Sequence, residues 1–457
     1  MTWPNADDLH RTAKQLVDSG RAANQSSAEA MLSRFVMQID VGAQVAQSAA
    51  LQAALLTAVN AGGRAFLGGV NVRAEQDCTL QTPWAKGLRL PDAVTAFGGC
   101  MVSDVDRDHP TLVIGEPQRA SSGTVVLQVS VSGWAGAILE GRRDQGDHDG
   151  IPIAGVVAAG LGVSEAFQHC LGDIEAGRRD VGLSLWQPAE PWSSQAAIGP
   201  PLTYLPSALW LLGLGHLGQG YAWSLGCLPF ADPALVAAYL VDTDVIVKGN
   251  LATGLLSFPP DRGRNKTRVV AAMLERIGFR TRIVERRFDD WFRPTDDEPS
   301  LALCGFDDPT PRQLLGDAGF ARVVDVGLGA GHSEYLDILV HTFPSDLDPR
   351  LVFRSPISDT RVLSKTYQDE VSRRIALGDG EGDATCGVRE LAGLTVGAAF
   401  VGVVAGAIAI ADVLRYLHGG LDLSVLSLDL RTPNSAKTAP NPAPEAFANV
   451  GFVKVRP

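Results

Sequence analysis

No two cysteines in this 457-residue chain form a C-x-x-C pair. The six, Cys78, Cys100, Cys170, Cys227, Cys304 and Cys386, stand far apart. Such spacing argues against a zinc site of closely spaced thiolates and against a disulfide framework. Free thiols suit a reducing compartment, so a cytoplasmic location is expected. Positive charge is also scarce: 39 Lys and Arg stand against 51 Asp and Glu, a net charge of −12. That balance argues against a nucleic-acid partner, which normally meets a basic face. No block of like charge marks a membrane-surface patch or a basic tail. The opening MTWPNADDLH has early acids and no apolar core, so no signal peptide is expected. One long uncharged run stands alone, LAGLTVGAAFVGVVAGAIAIA at 391–411, whose 21 residues are enough to cross a bilayer. It is rich in Gly and Ala and lacks an aromatic belt or a basic flank. A buried, closely packed helix and no membrane partner are therefore expected.

What is present is ordinary globular composition, 46% hydrophobic and 20% charged, in a chain long enough for two or three domains. Residues 1–60 read as helical, most clearly SRFVMQIDVGAQVAQSAALQAALLTAVN. Short β-rich runs such as TLVIG and TVVLQVSVSGWAGAIL follow up to residue 141. The polar stretch 140–150 reads as a loop, AGVVAAGLGVSEAFQHCLG as a small-residue helix, and VGLSLW as a strand. QPAEPWSSQAAIGPPLTYLP at 187–206 is the best linker. Beyond it strands and helices alternate, the pattern of a parallel sheet with helices on both faces. The expected division is an N-terminal domain over 1–195, an α/β domain over 205–430 and a Pro-rich tail over 431–457. Its last segment, NVGFVKVRP, is expected to return as a strand.

A faint repeat links the halves. GVVAAGLGVSEAFQHCLG (155–172) laid over GVVAGAIAIADVLRYLHG (402–419) gives five identical positions, Gly155 with Gly402 through Ala158 with Ala405, and Gly172 with Gly419. Two Ala/Gly helices agreeing by composition is one reading. The other is two related domains, the first having lost its glycine loop.

That loop is LWLLGLGHLGQGYAWSLG (209–226), an apolar run followed by Gly213, Gly215 and Gly218 and then a helix pattern. G-x-G-x-x-G between a strand and a helix permits a tight turn and lets backbone amides meet a phosphate. Asp242, 24 residues after Gly218, ends the next strand, where a carboxylate can accept both ribose hydroxyls. NAD and ATP satisfy that arrangement equally.

The ordered series GLGHLG, LVDTDVIVKGNL, GRNKTRVVAAMLERIG and CGFDDPTPRQLL resembles the ubiquitin-activating superfamily. Its simple bacterial members are the ThiF and MoeB adenylyltransferases. The resemblance covers about 205–430 and implies a doubly wound, Rossmann-like adenylation domain in an α/β chain. The N-terminal part is then an α+β domain that is a degenerate, inactive copy. It further implies that Gly213, Gly215 and Gly218 form the nucleotide turn and that Asp242 binds ribose. By the same match Asn250 lies near the phosphates, Lys266 pairs with them, and Asp307 binds magnesium, with Arg312 five residues on. ATP and Mg²⁺ are the implied cofactors. The chemistry fits, because a lysine and a carboxylate-held Mg²⁺ offset charge building on the attacked phosphate.

Two departures stand out. The family usually has Arg three residues after the Asn, where this chain has Thr253, with Arg262 and Arg264 nearby as candidate replacements. The paired C-x-x-C knuckles of the bacterial enzymes are missing. Cys386 sits in a Gly-rich loop where many members carry a cysteine that accepts a thioester or persulfide; Arg389 and a helix start would favour its thiolate. A buried structural thiol is the equal alternative. Cys304 reads as core, and His332 as a surface or satisfied residue, or as one that approaches the substrate carboxylate. The resemblance implies ATP-dependent adenylation of a carboxylate, the C-terminal Gly of a small ubiquitin-like or sulfur-carrier protein. The chain then acts as its own pseudo-dimer or as a homodimer. Two rivals are an NAD(P)-dependent oxidoreductase and a non-catalytic scaffold of the same superfamily.

Overall fold

Runs such as LWLL and LALC are too short for helices and lack polar alternation, the mark of strands buried on both faces. In the computed structural model these two become neighbouring parallel strands of one sheet, and similar runs in the first half build another. The structure describes residues 3, 10–143, 148–329, 331–354, 372, 396–442 and 450–456. The first sheet contains β1 (Val36–Val41), β2 (Gly69–Ala74), β3 (Gly99–Met101), β4 (Thr111–Ile114), β5 (Val126–Ser132), β6 (Ala135–Glu140) and β7 (Val181–Ser184). Their order is β3-β2-β1-β4-β5-β6-β7, the first five parallel and the last two antiparallel. After the linker, β8 (Tyr204–Pro206) pairs with β17 (Phe452–Lys454). The second sheet contains β9 (Ala208–Leu212), β10 (Ala237–Val241), β11 (Arg280–Val284), β12 (Leu301–Cys304), β13 (Arg322–Leu328), β14 (Asp337–Phe343), β15 (Leu423–Asp429) and β16 (Lys437–Pro440). Its order, β11-β10-β9-β12-β13-β14-β15-β16, again has five parallel strands, then an antiparallel run.

The N-terminal half, expected as an α+β unit, thus carries the same 3-2-1-4-5 core order as the C-terminal half. Strand β16 lies within the Pro-rich stretch and extends the second sheet beyond residue 430. The helices of the first half are α1 (His10–Asp18), α2 (Gln25–Leu32), α3 (Ala49–Gly62), α4 (Leu90–Ala96) and α5 (Pro152–Cys170). Those of the second are α6 (His216–Gly226), α7 (Lys266–Arg276), α8 (Pro309–Arg312), α9 (Pro349–Val352) and α10 (Ala399–Leu417).

The helical reading of 33–60 fails in its first part. Val36–Val41 is the strand β1, held between β2 and β4, and the helix α3 starts only at Ala49, capped by Ser48. The sequence of β1 alternates apolar and polar from Met37 to Val41, yet both faces are covered: Gln38 and Asp40 are as buried as Met37 and Ile39, and Asp40 pairs with Arg73.

Helices α5 and α10 pack against each other, each on its own sheet. A Cβ at Gly160 of α5 would stand 2.6 Å from Val404 of α10. The same closeness joins α5 to α3, where a Cβ at Gly155 would lie 2.0 Å from the Ala50 carbonyl. It joins α6 to α10, where one at Gly220 would lie 2.3 Å from the Gly402 carbonyl. The Gly/Ala run at 399–417 is therefore a buried packing helix, although its length and hydropathy would allow it to cross a membrane. Two charged residues near its end, Asp412 and Arg415, pair at 2.8 Å, and Arg322 of β13 meets Asp412 at 2.6 Å.

Candidate active site

Strand order reverses between β9 and β12, and ligands of open α/β sheets bind at such a switch point. The glycines there have three separate tasks. Gly213 takes φ +81°, which favours glycine, and its N–H donates to the Val241 carbonyl at 2.8 Å. Gly218 lies under the turn, where a Cβ would be 1.9 Å from the Gly213 carbonyl. At Gly215 a Cβ would meet nothing within 4 Å, because that side opens to a cavity.

The cavity is about 700 Å³, within the usual span of ligand pockets. Gly213, Gly215, Asp242, Asn250, Lys266 and Asp307 all line it. Asp242 follows β10 and accepts the Leu214 N–H at 2.7 Å and the Asp244 N–H at 2.8 Å, tying strand end to glycine turn. Burial pushes its carboxyl pKa up, against the pull of Lys266. The segment 244–246 bonds back to 263–266: Ile246 N–H reaches the Arg264 carbonyl at 2.8 Å and Lys266 N–H the Asp244 carbonyl at 3.0 Å. This sets Lys266 at the first turn of α7. Its ammonium lies 2.7 Å from Asp244 and 3.8 Å from Asp242. Asn250 accepts the Val247 N–H at 2.9 Å, closing the short turn on which it sits. Asp307 is exposed at the cavity edge, and its neighbour Asp308 caps α8 through the Thr310 N–H.

Beside these, Arg312 makes a bidentate pair with the buried Asp325, at 3.0 and 2.6 Å, and lies 4.1 Å from the Phe353 ring centroid. Burial pushes the Asp325 carboxyl up, but His341 and Arg312 outweigh it and hold the pKa below the ordinary value. Burial, then Asp325, pushes the Cys304 thiol far up, which fits a core residue rather than a nucleophile.

The arginines that the sequence suggested in place of one at position 253 do not reach the cavity. Thr253 is buried and does not line the cavity, and neither do Arg262 and Arg264; Arg264 pairs with Asp261. Arg11, from α1 of the other half, does line it, and the charge of Asp307 acts on its guanidinium. Nothing in the local sequence marks Arg11, because its place in the cavity depends on how the halves meet. Asp325 had a signal: an acid inside the apolar run VVDVGL. His332 is exposed and lies outside the cavity lining. Cys386 and Arg389 lie outside the described residues.

Comparison with known proteins gives results for both halves. The BilD N-terminal domain family matches residues 36–185, and the BilD C-terminal domain family matches 205–420. The bacterial E1-like protein BilD of Collimonas sp. (strain OK412) is 40% identical over 416 residues, 90% of this chain and 89% of that protein. Among solved structures, E. coli MccB with ATP gives a TM-score of 0.34 at 12% identity, covering 71% of this chain and 98% of that one. The same enzyme with MccA-N7isoASN gives the same values, 0.34, 12%, 71% and 98%. The identity to BilD extends across linker and both sheets, so the chain belongs to the BilD family of bacterial E1-like proteins.

Proposed function

We propose that this chain activates a carboxylate by adenylation. A carboxylate oxygen attacks the α-phosphorus of ATP, an acyl-adenylate forms, and pyrophosphate leaves. The observation that carries this reading is one cavity that collects the glycine turn, Asp242, Asn250, Lys266 and Asp307. Phosphates entering beside Gly215 would meet turn amides and compete with Asp244 for the Lys266 ammonium. Arg11 adds the guanidinium that Thr253 does not supply. Asp307 offers the single carboxylate that Mg²⁺ needs when phosphate oxygens and water complete its shell; the ion would offset phosphate charge there. A hydride carrier would use the turn and Asp242 but leave Lys266 and Asp307 without a task.

The carboxylate is the C-terminal Gly of a small ubiquitin-like or sulfur-carrier protein. Kinship with an E1-like protein supports this. Capture on Cys386 follows: its thiolate attacks the acyl carbon, a thioester forms and AMP leaves. The N-terminal half acts as an inactive copy. Its counterpart of the glycine turn is closed, since the Gln44 side chain accepts the Glu116 N–H at 2.9 Å and a Cβ at Gly42 would lie 2.4 Å from that nitrogen. Glu75, after β2 as Asp242 is after β10, accepts the Gln118 N–H.

ATP–pyrophosphate exchange with small proteins ending in Gly tests the proposal. Exchange above background is expected, falling about a hundredfold in Lys266→Ala, the scale of losing one charge-stabilising group. Cys386→Ala should keep exchange and lose a thiol-sensitive adduct. Background exchange with every carrier, together with unchanged ATP binding in Lys266→Ala, would sink it.

A further inference from the structure

Arg64 follows α3 in the N-terminal half and is fully buried, with no carboxylate in an ion pair with it among the described residues. Its guanidinium donates instead to carbonyls of the other half: Leu251 at 2.5 Å, Ser257 at 3.1 Å and Leu255 at 3.4 Å. Asn60, one turn earlier, accepts from Arg64 Nε at 3.0 Å and donates to the Leu255 carbonyl at 3.1 Å. Trp3 and Phe258 flank the cation, with ring centroids 4.9 and 5.5 Å from the guanidinium carbon. Burial pushes its pKa down to about 9, which leaves it charged at neutral pH.

A buried charge without a counter-ion is costly, and an apolar side chain of similar volume would generally be no less stable. The gain must lie in geometry. Carbonyls at 251, 255 and 257 converge on one fork only if the chain curls around it, and that chain starts at Asn250. The outer side of the curl is held by Gln219 of α6. Its Oε1 accepts the Leu256 N–H at 2.9 Å, and its Nε2 donates to Ser257 Oγ at 2.8 Å and to the Leu214 carbonyl at 3.2 Å. Leu214 is the residue whose N–H bonds Asp242. An unbroken series of hydrogen bonds thus runs from α3 through segment 250–257 to the glycine turn.

We infer that Arg64 is a positioning residue: the N-terminal half uses it to set the shape of segment 250–257, and so the placing of Asn250 and the nucleotide turn. This rests on the nucleotide reading of the cavity for its consequence, but not for the contact itself. The first half then contributes Arg11 to the cavity directly and Arg64 at one remove.

The test uses the full chain with Arg64→Met, which keeps volume and drops the fork, and Arg64→Lys, which keeps charge with a single donor centre. Two quantities are read, ATP affinity by calorimetry and amide hydrogen exchange over 250–258. The expected result is faster exchange confined to that segment and ATP affinity weaker by about tenfold in Arg64→Met, the scale of one charged hydrogen bond, with Arg64→Lys between. Unfolding midpoints close to wild type separate this from a general loss of stability. Unchanged exchange at 250–258 in a folded variant overturns the inference, whatever ATP does. If wild type binds no ATP, the adenylation reading fails and the exchange data still decide this one. If Arg64→Met does not fold, Arg64→Lys decides: wild-type exchange and affinity together would overturn it.

Discussion

His216 shows how a single side chain ties the site to pH. Its imidazole is half-buried at the start of α6, against Gly402 of α10, and lines the cavity. Burial first, then the charge of Arg11, push its pKa down from 6.5 to about 3, despite bonds to the Ala398 and Ala399 backbone. As pH falls below 6.5 the unfolded chain takes a proton that the folded chain refuses until about 3. Its contribution to stability therefore falls with pH across that window, with a slope approaching ~1.4 kcal/mol per pH unit. Urea unfolding at pH 4 and pH 7 should show a smaller pH difference in His216→Gln than in wild type; equal differences would remove this role. Lys266 poses a simpler problem of exchange. It already has Asp244 at 2.7 Å, and under the proposed function a phosphate would displace this largely exposed carboxylate, which costs little.

Between elements, close approach of backbones replaces large side chains. The α6–α10 contact passes through Gly220, Gly402 and Gly406, with a Cβ at Gly406 only 2.4 Å from Gly220 backbone atoms. Gly220→Ala should push the helices apart and cost about 1–3 kcal/mol, the range for overpacking a tight core. Because α6 carries the glycine turn at its N-terminus, ATP affinity should fall with it; denaturant titration and calorimetry check both. A variant as stable as wild type would mean that the helices can shift at no cost.

Over the whole molecule, two sheets of the same core order meet through α5 and α10, and the second half borrows Arg11 and Arg64 from the first. The isolated fragment 205–457 should therefore bind no ATP and self-associate through the apolar face of α10, whereas the full chain should sediment as a single copy. A stable full-length dimer joined through α10 of both chains, or a monodisperse ATP-binding fragment, would contradict this arrangement. Local patterns were enough for the parallel sheet after the linker, the small-residue helices, the glycine turn and Asp242; Asn250, Lys266 and Asp307 came from the family resemblance. The structure brings all of these residues but Gly218 to the cavity wall. β1 does alternate, Met37-Gln38-Ile39-Asp40-Val41, but the alternation spans only five residues and runs directly into the Ala/Gln/Leu-rich helix pattern of 43–60, which absorbed it. Arg11 and Arg64 escaped it for another reason: a basic side chain near a helix end acquires meaning only from what lies opposite. For both, what lies opposite is more than 180 residues away in the chain, Asp307 for one and the carbonyls of 251–257 for the other. The sequence by itself determined the parallel strand–turn–helix units and where their glycines and carboxylates fall, because each follows from short-range spacing. Tertiary structure alone decided which half lends its cations to the other, since that follows from helix packing across the two halves and leaves no periodic trace in either.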